Sequence, residues 1–510
     1  MIRGGVRHSK RMLALFGLTL VALWALNKIV PQSFMPQEDQ GYFTVELELP
    51  EGATLERTRK VTDRAIEYIK QHPAVAHVQN VTGSSPRVGT AQSRAELTVI
   101  LKPWEERKKG DMSLKEVMDD IRAEFFKYPE AQVFLSTPPI IPGLGASGGF
   151  ELQVEARNGA TFENLVDAVD TLLKYAAQDK ALAGVSSSLQ AEIPQLYFDV
   201  DRDKAQLLGI PLADIFSTMK AYTGSVYVND FNMFNRIYKV YIQAEAPYRA
   251  HKDNINLFFV RGSNGAMVPL TALGTTDYTT GPGSIKRFNM FNTAIIRGAA
   301  AQGYSSGQVM EIMEEIAQQH LPANIGIEWS GLSFQEKKAD GKTGMIMALV
   351  FLFVFLFLAA QYESWLVPIS VLLSLPVAAF GAYLGIWVCG MENDIYFQIG
   401  LVMLIGLAAK NAILVVEFAK IQVDKGADII YAAIHAARQR FRPIVMTSFA
   451  FILGMLPMVL ASGPGSASRQ SIGTGVFFGM IFSITFGIIL VPFFFTLIYK
   501  LKASIKEKWS

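Results

Sequence analysis

A lysine lies in the middle of an apolar stretch near the carboxyl end of the chain, in the sequence GLAAKNAILVVEFAK at 406–420. It is Lys410, and Glu417 follows seven residues later. A charged side chain at the depth of a lipid bilayer is costly, so such a residue is usually paired, faces the interior of a helix bundle and has a function. If the segment is a membrane helix, Lys410 is expected to bind a partner of opposite charge.

Glu417 cannot be that partner, because residues seven apart share a helix face but lie about 10 Å apart along the axis. We expect Lys410 to face another element of the bundle, with Asn411 adding a donor and an acceptor. We expect Glu417 to pair at the basic cytoplasmic end of its helix. A buried ammonium beside a carboxylate is a switch, because protonating the carboxylate removes the pair and changes helix packing. The apolar stretches contain no Asp and only this one Glu, so the partner carboxylate is expected to be missing from this chain.

The next apolar stretch begins with RQRFRPIVMTS, which contains Arg440, Arg442 and Thr447. Arginines at this place are typical of the positive cytoplasmic boundary of a membrane protein, and a functional role is an equal alternative. Thr447 lies one to two helical turns further in, where a hydroxyl commonly bonds to the backbone of its own helix. The spacing alone leaves these alternatives open.

Six stretches are long and apolar enough to cross a membrane, at about 20 residues each. Thirteen Lys and Arg residues fall on one side of these stretches, against Arg469 alone in the short loops on the other, which predicts cytoplasmic N- and C-termini. The basic start also fits a signal peptide, but the long apolar run without a clean Ala-x-Ala site favours an uncleaved anchor. The predicted spans are 12–30, 343–362, 366–388, 396–418, 443–461 and 472–499.

The long region between the first two spans is expected to lie outside the cytoplasm. It contains two copies of a strand–helix–strand–strand–helix–strand pattern, in which strands such as FTVELEL alternate with a period of two. This is the split βαβ plan, a four-stranded sheet with two helices on one face. The second copy takes QLYFDVDR as its third strand and is then interrupted by an insertion. The predicted fold is an α-helical membrane bundle of six helices plus an α+β domain, with a first membrane helix at 1–30, a first α+β unit at 31–140, a second at 141–202 and 305–340, an insertion at 203–304 and five further membrane helices at 341–510.

Signals for enzyme chemistry are weak. GASGG matches the spacing of a nucleophile elbow around Ser147, but a Pro/Gly linker surrounds it in place of a strand and a helix. GKT lacks the earlier glycine of a phosphate-binding loop, the histidines are scattered, and Cys389 is the only cysteine. We therefore expect no enzyme, no cofactor, no metal site and no nucleic-acid partner. The string FNMFN, at 231–235 and 288–292, is either a Met/aromatic contact surface or a chance similarity.

Long strings of this sequence resemble the resistance–nodulation–division (RND) exporters of the hydrophobe/amphiphile efflux class. The matching strings are PQEDQGYFTVELELPEGAT, YVNDF, YESWLVPISVLL, NDIYFQIGLVMLIGLAAKNAILVVEFAK and RFRPIVMTSFAFILGMLP. They are distributed over nearly the whole chain. The chain resembles the C-terminal half of an inner-membrane pump, in which a homologous N-terminal half precedes it.

The resemblance implies a proton-driven secondary transporter, a homotrimer in the bacterial inner membrane with its large loop at 31–340 in the periplasm. It would extrude hydrophobic or amphiphilic compounds together with a periplasmic adaptor and an outer-membrane channel. Lys410 matches a lysine that pairs with two aspartates of the N-terminal half, on the same chain or a separate one. Arg440 and Thr447 match a proton-pathway arginine and threonine, and Asn411 completes the expected relay. The α+β units would be porter subdomains, and the insertion a docking element.

Four residues are candidates for the substrate pathway. Phe150 fits an aromatic of a pocket or entry cleft, and Arg87 lies in the loop TGSSPRVGTAQSR, which has no Phe. Gln79 and Thr98 stand where drug-pumping relatives tend to carry Phe, so a strongly aromatic substrate is less favoured. Two alternatives remain: a six-span superfamily member that assists protein export, and a non-transporting scaffold in which Lys410 pairs statically.

Overall fold

A computed structural model of the chain describes residues 9–85, 89–107, 112–125, 127–141, 144, 148–263, 265–301, 303–339 and 341–509. The described residues form two compact units. One is Gln190–Ile285, and the other contains the rest of the described chain.

Helix α1 (Ser9–Ile29) leads into a four-stranded antiparallel sheet, as the sequence pattern predicts. Alternate residues of its central strands, such as Phe43, Val45 and Leu97, are fully buried against the apolar faces of two helices. This alternation is the period of two that the sequence shows. The elements are β1 (Tyr42–Glu48), α2 (Leu55–Gln71), β2 (Val75–Ser85), β3 (Gly89–Leu101), α3 (Leu114–Phe125) and β4 (Gln132–Ser136), with the strands in the order β2-β3-β1-β4.

The second α+β unit begins with β5 (Phe150–Ala156), α4 (Phe162–Ala176) and β6 (Leu182–Ser187). The insertion follows as the separate compact unit, and its own core gathers around Ile215, Leu270 and Leu273. The main elements of the insertion are β7 (Ile193–Val200), α5 (Arg202–Leu207), α6 (Leu212–Met219), β8 (Val226–Met233), β9 (Arg236–Ile242), β10 (Phe259–Arg261), β11 (Met267–Pro269) and β12 (Gly274–Gly281).

After the insertion the second unit resumes with β13 (Lys286–Phe288), β14 (Phe291–Ala300), α7 (Ser306–His320) and β15 (Ile325–Trp329). Strand β14 pairs with both β5 and β6, and β15 pairs with β5, so one antiparallel sheet is completed by residues far apart in the sequence. Helices α4 and α7 supply apolar side chains to its core.

The third strand of the second unit was predicted wrongly. The segment QLYFDVDR forms β7, which pairs with β12 inside the insertion, whereas β14 takes the expected place beside β5. The reason is burial: Ala294 and Ile296 of β14 are fully buried in the unit's core, while Phe198 and Val200 of β7 pack on the core of the insertion. Both segments alternate, so local periodicity cannot distinguish them. The insertion therefore runs over Gln190–Ile285 and not over 203–304.

Within the described residues, six helical segments are long and apolar enough to cross a membrane, and they correspond to the six predicted stretches. A short helix, α8, precedes the second of them. The elements are α8 (Gly331–Ala339), α9 (Lys342–Tyr362), α10 (Val367–Leu372), α11 (Leu375–Val388), α12 (Ile395–Asp424), α13 (Ile429–Val459), α14 (Ser466–Phe482) and α15 (Ile488–Trp509). The third segment is broken between α10 and α11, and the sixth contains a π-helical turn at 483–487.

Helix α14 packs closely against its neighbours because glycines line its contacts. A Cβ added at Gly479 would lie 2.2 Å from Leu404 Cδ2 on α12, and one at Gly473 would lie 2.8 Å from Met458 Cβ on α13. Helix α12 buries one long face against this assembly, whereas α9 is exposed along most of its length. The opposite face of α12 is where Lys410 lies.

Candidate functional site

Lys410 lies near the middle of α12 on the face that this chain leaves uncovered. Its neighbours Ala408, Ala409 and Ala412 are buried, but the Lys410 side chain itself is exposed. Met403, about two turns earlier on the same face, is also exposed, at 41%. An open stripe therefore runs along a helix that is otherwise packed, and the ammonium group lies on it.

The Lys410 ammonium contacts the ring of Phe451 on α13, whose centroid lies 5.8 Å from Nζ. Among the described residues, no carboxylate lies within ion-pair distance of this ammonium. An aromatic face attracts a cation but contributes far less than a carboxylate in a desolvated site. Within the described residues, Lys410 therefore has an aromatic contact but no ion pair.

Asn411 points to a different neighbour from Lys410. Its Nδ2 donates to the hydroxyl of Ser448 on α13 at 3.0 Å, and Ser448 is fully buried. The bond holds α12 and α13 together beside the lysine. Sequence analysis missed Ser448, although it lies directly after Thr447 in the string MTS.

Arg440 and Thr447 lie on α13, and each bonds or packs away from Lys410. The guanidinium of Arg440 lies 4.5 Å from the centre of the Phe418 ring, and its buried Nε has no hydrogen-bond partner among the described residues. Thr447 donates to the carbonyl of Ile444 in its own helix at 3.1 Å. Phe418 is eight residues after Lys410 on α12, which is about 12 Å along the helix axis. Arg440, which contacts Phe418, is therefore separated from Lys410 by about that distance along the axis.

Glu417 is exposed, and it forms no ion pair with any residue that the structure describes. The expectation that it pairs with the basic end of its helix is therefore wrong for these residues. The nearby Lys420 donates instead to the carbonyl of Tyr362 on α9, at 2.8 Å. Lys420 therefore binds a backbone oxygen at the end of α9. Glu417 remains on the same open face of α12 as Lys410.

Gln79 and Thr98 are brought together on the first sheet. They face each other in the register of β2 and β3, and Thr98 faces Thr44 on β1. Thr98 also lines a cavity of about 480 Å³ with Tyr42 and Trp104 among its walls. Two of the predicted substrate-pathway residues thus share a polar sheet surface next to a cavity.

The same surface carries two glutamates that sequence analysis missed. Glu46 and Glu96 lie directly opposite each other on β1 and β3, two residues along each strand from the pair Thr44–Thr98 and on the same face of the sheet. Burial raises the pKa of the Glu96 carboxyl, and Ser85 donates a hydrogen bond to Glu46. The alternating strings VELEL and AELTV could have indicated them, because both place Glu on the face opposite the apolar residues.

Phe150 does not lie at a cleft. Its side chain is 4% exposed and belongs to the core of the second unit, where its ring packs edge-on against Trp329 with centroids 6.2 Å apart. The first residue of β5 points inward because the strand alternates, and residue type alone does not reveal this direction. Arg87 and Ser147 lie outside the described residues.

The profile of the AcrB/AcrD/AcrF family matches residues 1–499. The chain belongs to that family. It is 39% identical over 501 residues to the multidrug/solvent efflux pump membrane transporter MepB of Pseudomonas putida, and 40% identical over 492 residues to the multidrug export protein AcrF of Escherichia coli. These alignments cover 98% and 96% of this chain and 47% of each relative.

Membership of the AcrB/AcrD/AcrF family confirms the RND resemblance, and these relatives are named as efflux or export proteins. A further relative, 39% identical over 501 residues, is the toluene efflux pump membrane transporter TtgB of Pseudomonas putida. The chain spans about half the length of the curated relatives it matches. The family profile covers the whole Lys410 neighbourhood.

Proposed function

We propose that this chain is the C-terminal half of a proton-driven RND efflux antiporter. The observation that carries the proposal is the exposed Lys410 on the open face of α12, without a carboxylate partner among the described residues. A lysine on a membrane helix requires a partner that lowers its cost. An N-terminal half of the pump, on the same or a separate chain, would cover this face and supply two aspartates.

The ion pair would convert proton movement into helix movement. When an aspartate of the partner half is ionised, it attracts the Lys410 ammonium and holds the two halves together. When the aspartate takes up a proton from the periplasm, the attraction is lost and α12 is free to move. Release of that proton toward the cytoplasm restores the pair and completes one cycle.

The remaining relay residues have supporting roles in this proposal. Asn411 keeps α12 in register with α13 through Ser448, so that Lys410 returns to the same place after each cycle. Arg440, whose buried Nε has no partner among the described residues, would bind an acceptor that moves into reach on the cytoplasmic side. The hydroxyl of Thr447, which here donates to the backbone of its own helix, would pass a proton between the Lys410 site and Arg440.

The substrates would be hydrophobic or amphiphilic compounds taken from the periplasm or the outer leaflet of the inner membrane. The polar surface that carries Thr98, Gln79 and the Glu46–Glu96 pair would form part of their path through the porter units. Gln79 and Thr98 are polar residues where drug-pumping relatives tend to carry Phe, so substrates with a polar or charged group are favoured over flat aromatic drugs.

The assembly proposed is a homotrimer in the bacterial inner membrane, with both termini in the cytoplasm and residues 31–340 in the periplasm. A periplasmic adaptor and an outer-membrane channel would continue the export route. The insertion Gln190–Ile285, a separate compact unit, would be the element that docks toward the channel. Its two-stranded hairpin β8–β9 is largely exposed, with Phe234 at 83%.

The test is efflux from cells that express the chain alone or with a first-half partner containing two aspartates in its fourth span. We expect proton-dependent dye efflux only with the partner, and its loss in Lys410→Ala. Lys425→Ala is the matched control, because Lys425 is exposed at the end of the same helix. It should transport normally.

Three outcomes separate the alternatives. Transport by the chain alone would contradict the half-pump proposal. Transport undiminished in Lys410→Ala, with normal assembly, would favour a static scaffold role for the lysine. A defect in protein translocation without any change in dye efflux would favour the export-assisting alternative.

A further inference from the structure

Two adjacent carboxylates, Glu38 and Asp39, lie in the segment that joins α1 to β1, and they bind to different parts of the protein. Glu38 binds the start of a membrane helix, and Asp39 binds the first α+β unit. Acidic pairs of this kind in a loop are ordinarily solvated or capping residues. The structure gives each of these two a separate partner.

Glu38 supplies the N-terminal cap that α14 lacks. The helix begins after Gly465, which makes no side-chain cap bond, and it has no acidic residue in its first turn. The carboxylate of Glu38 accepts from the backbone N–H of Ser468 at 2.8 Å and of Ala467 at 3.3 Å, and also from the Ser468 hydroxyl. An anion at this place satisfies free N–H groups and interacts favourably with the helix dipole.

Asp39 fastens the next residue of the chain to the first α+β unit. Its carboxylate accepts from the Arg107 guanidinium at 3.0 Å and from the backbone N–H of Gly41 at 2.8 Å. Arg107 is itself held, because its Nε donates to the carbonyl of Lys102 at 2.6 Å and its side chain is 2% exposed. Strand β1 begins three residues after Asp39.

Helix α14 is closely packed on α12, which carries Lys410. Gly479 leaves no room for a Cβ beside Leu404, and a Cβ at Gly475 would lie 2.8 Å from the Phe397 ring. At the outer end of the same pair, the Ser471 hydroxyl donates to Asp394 at 2.7 Å. A displacement of α12 is therefore transmitted to α14, since two closely packed helices do not slide independently at such contacts.

We propose that Glu38 is a coupling residue, which transmits movement of the Lys410 helix through α14 to strand β1 of the porter unit. The proposal rests on the proposed function. Because adjacent residues along a chain are only about 3.8 Å apart, Glu38 and Asp39 leave no slack between the helix end and the sheet. Movement of α14 along its axis pulls directly on the Asp39–Arg107 bond and on β1.

The coupling is tested without transport by hydrogen exchange of the full chain in lipid nanodiscs. Glu38→Ala should raise exchange about tenfold at 466–469, where the cap is lost, and also in the porter segment around Gly41 and Leu101. Coupling between two sites is reciprocal, so Arg107→Ala should raise exchange at 466–469. Glu56→Ala is the matched control, because this glutamate lies in the exposed first turn of α2.

The proposal is overturned if each substitution affects only its own side, either the start of α14 or the porter segment. If Glu38→Ala changes exchange only at 466–469, and Arg107→Ala only in the porter segment, Glu38 is a helix cap and nothing more. This outcome does not depend on transport, so it is separate from failure of the proposed function.

The second measurement is efflux by the chain with its first-half partner. Glu38→Ala should lower the maximal efflux rate at least tenfold with little change in the substrate concentration that gives half-maximal efflux. Glu38→Gln keeps one acceptor oxygen and should recover part of the rate. A change in apparent substrate affinity with an unchanged maximal rate would contradict a coupling role and indicate a contribution to substrate binding.

Discussion

Substitution of two neighbouring residues on α12 should affect folding stability differently: Asn411→Ala should lower it, and Lys410→Met should not. Asn411 donates to the buried Ser448 hydroxyl at 3.0 Å, so Asn411→Ala removes an interhelical hydrogen bond. Such bonds contribute about 0.6 kcal/mol on average and at most about 1.7 kcal/mol in membrane proteins. Lys410 is exposed on the open face, and a lysine at the centre of a membrane helix costs roughly 2.5–3.5 kcal/mol on insertion scales. Lys410→Met should leave the folding stability of the single chain unchanged or raise it.

The measurement is reversible unfolding of the purified 510-residue chain in bicelles by titration with SDS, followed by tryptophan fluorescence. The difference in unfolding free energy between each variant and the original chain is the quantity compared. Adding the first-half partner provides the control. In the complex, Lys410→Met should become destabilising, because it leaves the partner's aspartates buried without a cation.

The reasoning is refuted if Lys410→Met lowers the stability of the single chain as much as Asn411→Ala does. Such a result would mean that Lys410 makes a stabilising contact within this chain, and its role as half of an ion pair between two halves would lose its basis. Destabilisation in the single chain and in the complex by equal amounts would lead to the same conclusion.

Three further predictions concern packing, the relay and pH. Gly479→Leu should destabilise the chain by more than the typical overpacking cost of about 1–3 kcal/mol, because even a Cβ would lie 2.2 Å from Leu404 Cδ2. In the control Gly406→Ala the added Cβ meets open space, so SDS titration should show little change in unfolding free energy. Thr447→Val removes a hydroxyl bonded within its own helix and should change stability by less than about 1 kcal/mol; efflux that falls nevertheless would support a proton-pathway role, and unchanged efflux would contradict one. Burial raises the pKa of Glu96, so its contribution favours the folded state most at low pH and is lost as pH rises through the folded pKa; Glu96→Gln should remove this dependence in thermal unfolding at pH 4.5 and 7.5, and an unaltered dependence would contradict it.

Local patterns in the sequence determined the elements and the central question about the site. The six apolar stretches correspond to six long apolar helical segments among the described residues, and the first βαββαβ pattern forms the sheet β2-β3-β1-β4. These outcomes follow from periodicity and length, which are properties of contiguous residues. The geometry of a single helix also excluded Glu417 as the partner of Lys410, because rise per residue is fixed.

Tertiary structure alone decided which strand completes the second sheet and where the insertion begins. The strands β7 and β14 both alternate, and only pairing with β5 and burial of Ile296 distinguish them. Phe150 likewise was assigned to a cleft from the family resemblance, but the direction of the first residue of β5 places it in the core. Choices between equivalent local patterns depend on contacts between distant residues.

The same distinction applies to the Lys410 site and to the connection that Glu38 and Asp39 make between α14 and the first α+β unit. The sequence contained a lysine that needs a carboxylate, but the open face of α12 became visible only when the other helices were packed around it. It contained Glu38 beside Asp39, but the cap on α14 joins residues 430 positions apart. A helix that begins after Gly465 lacks a side-chain cap of its own, and only folding brings a distant carboxylate to its free N–H groups.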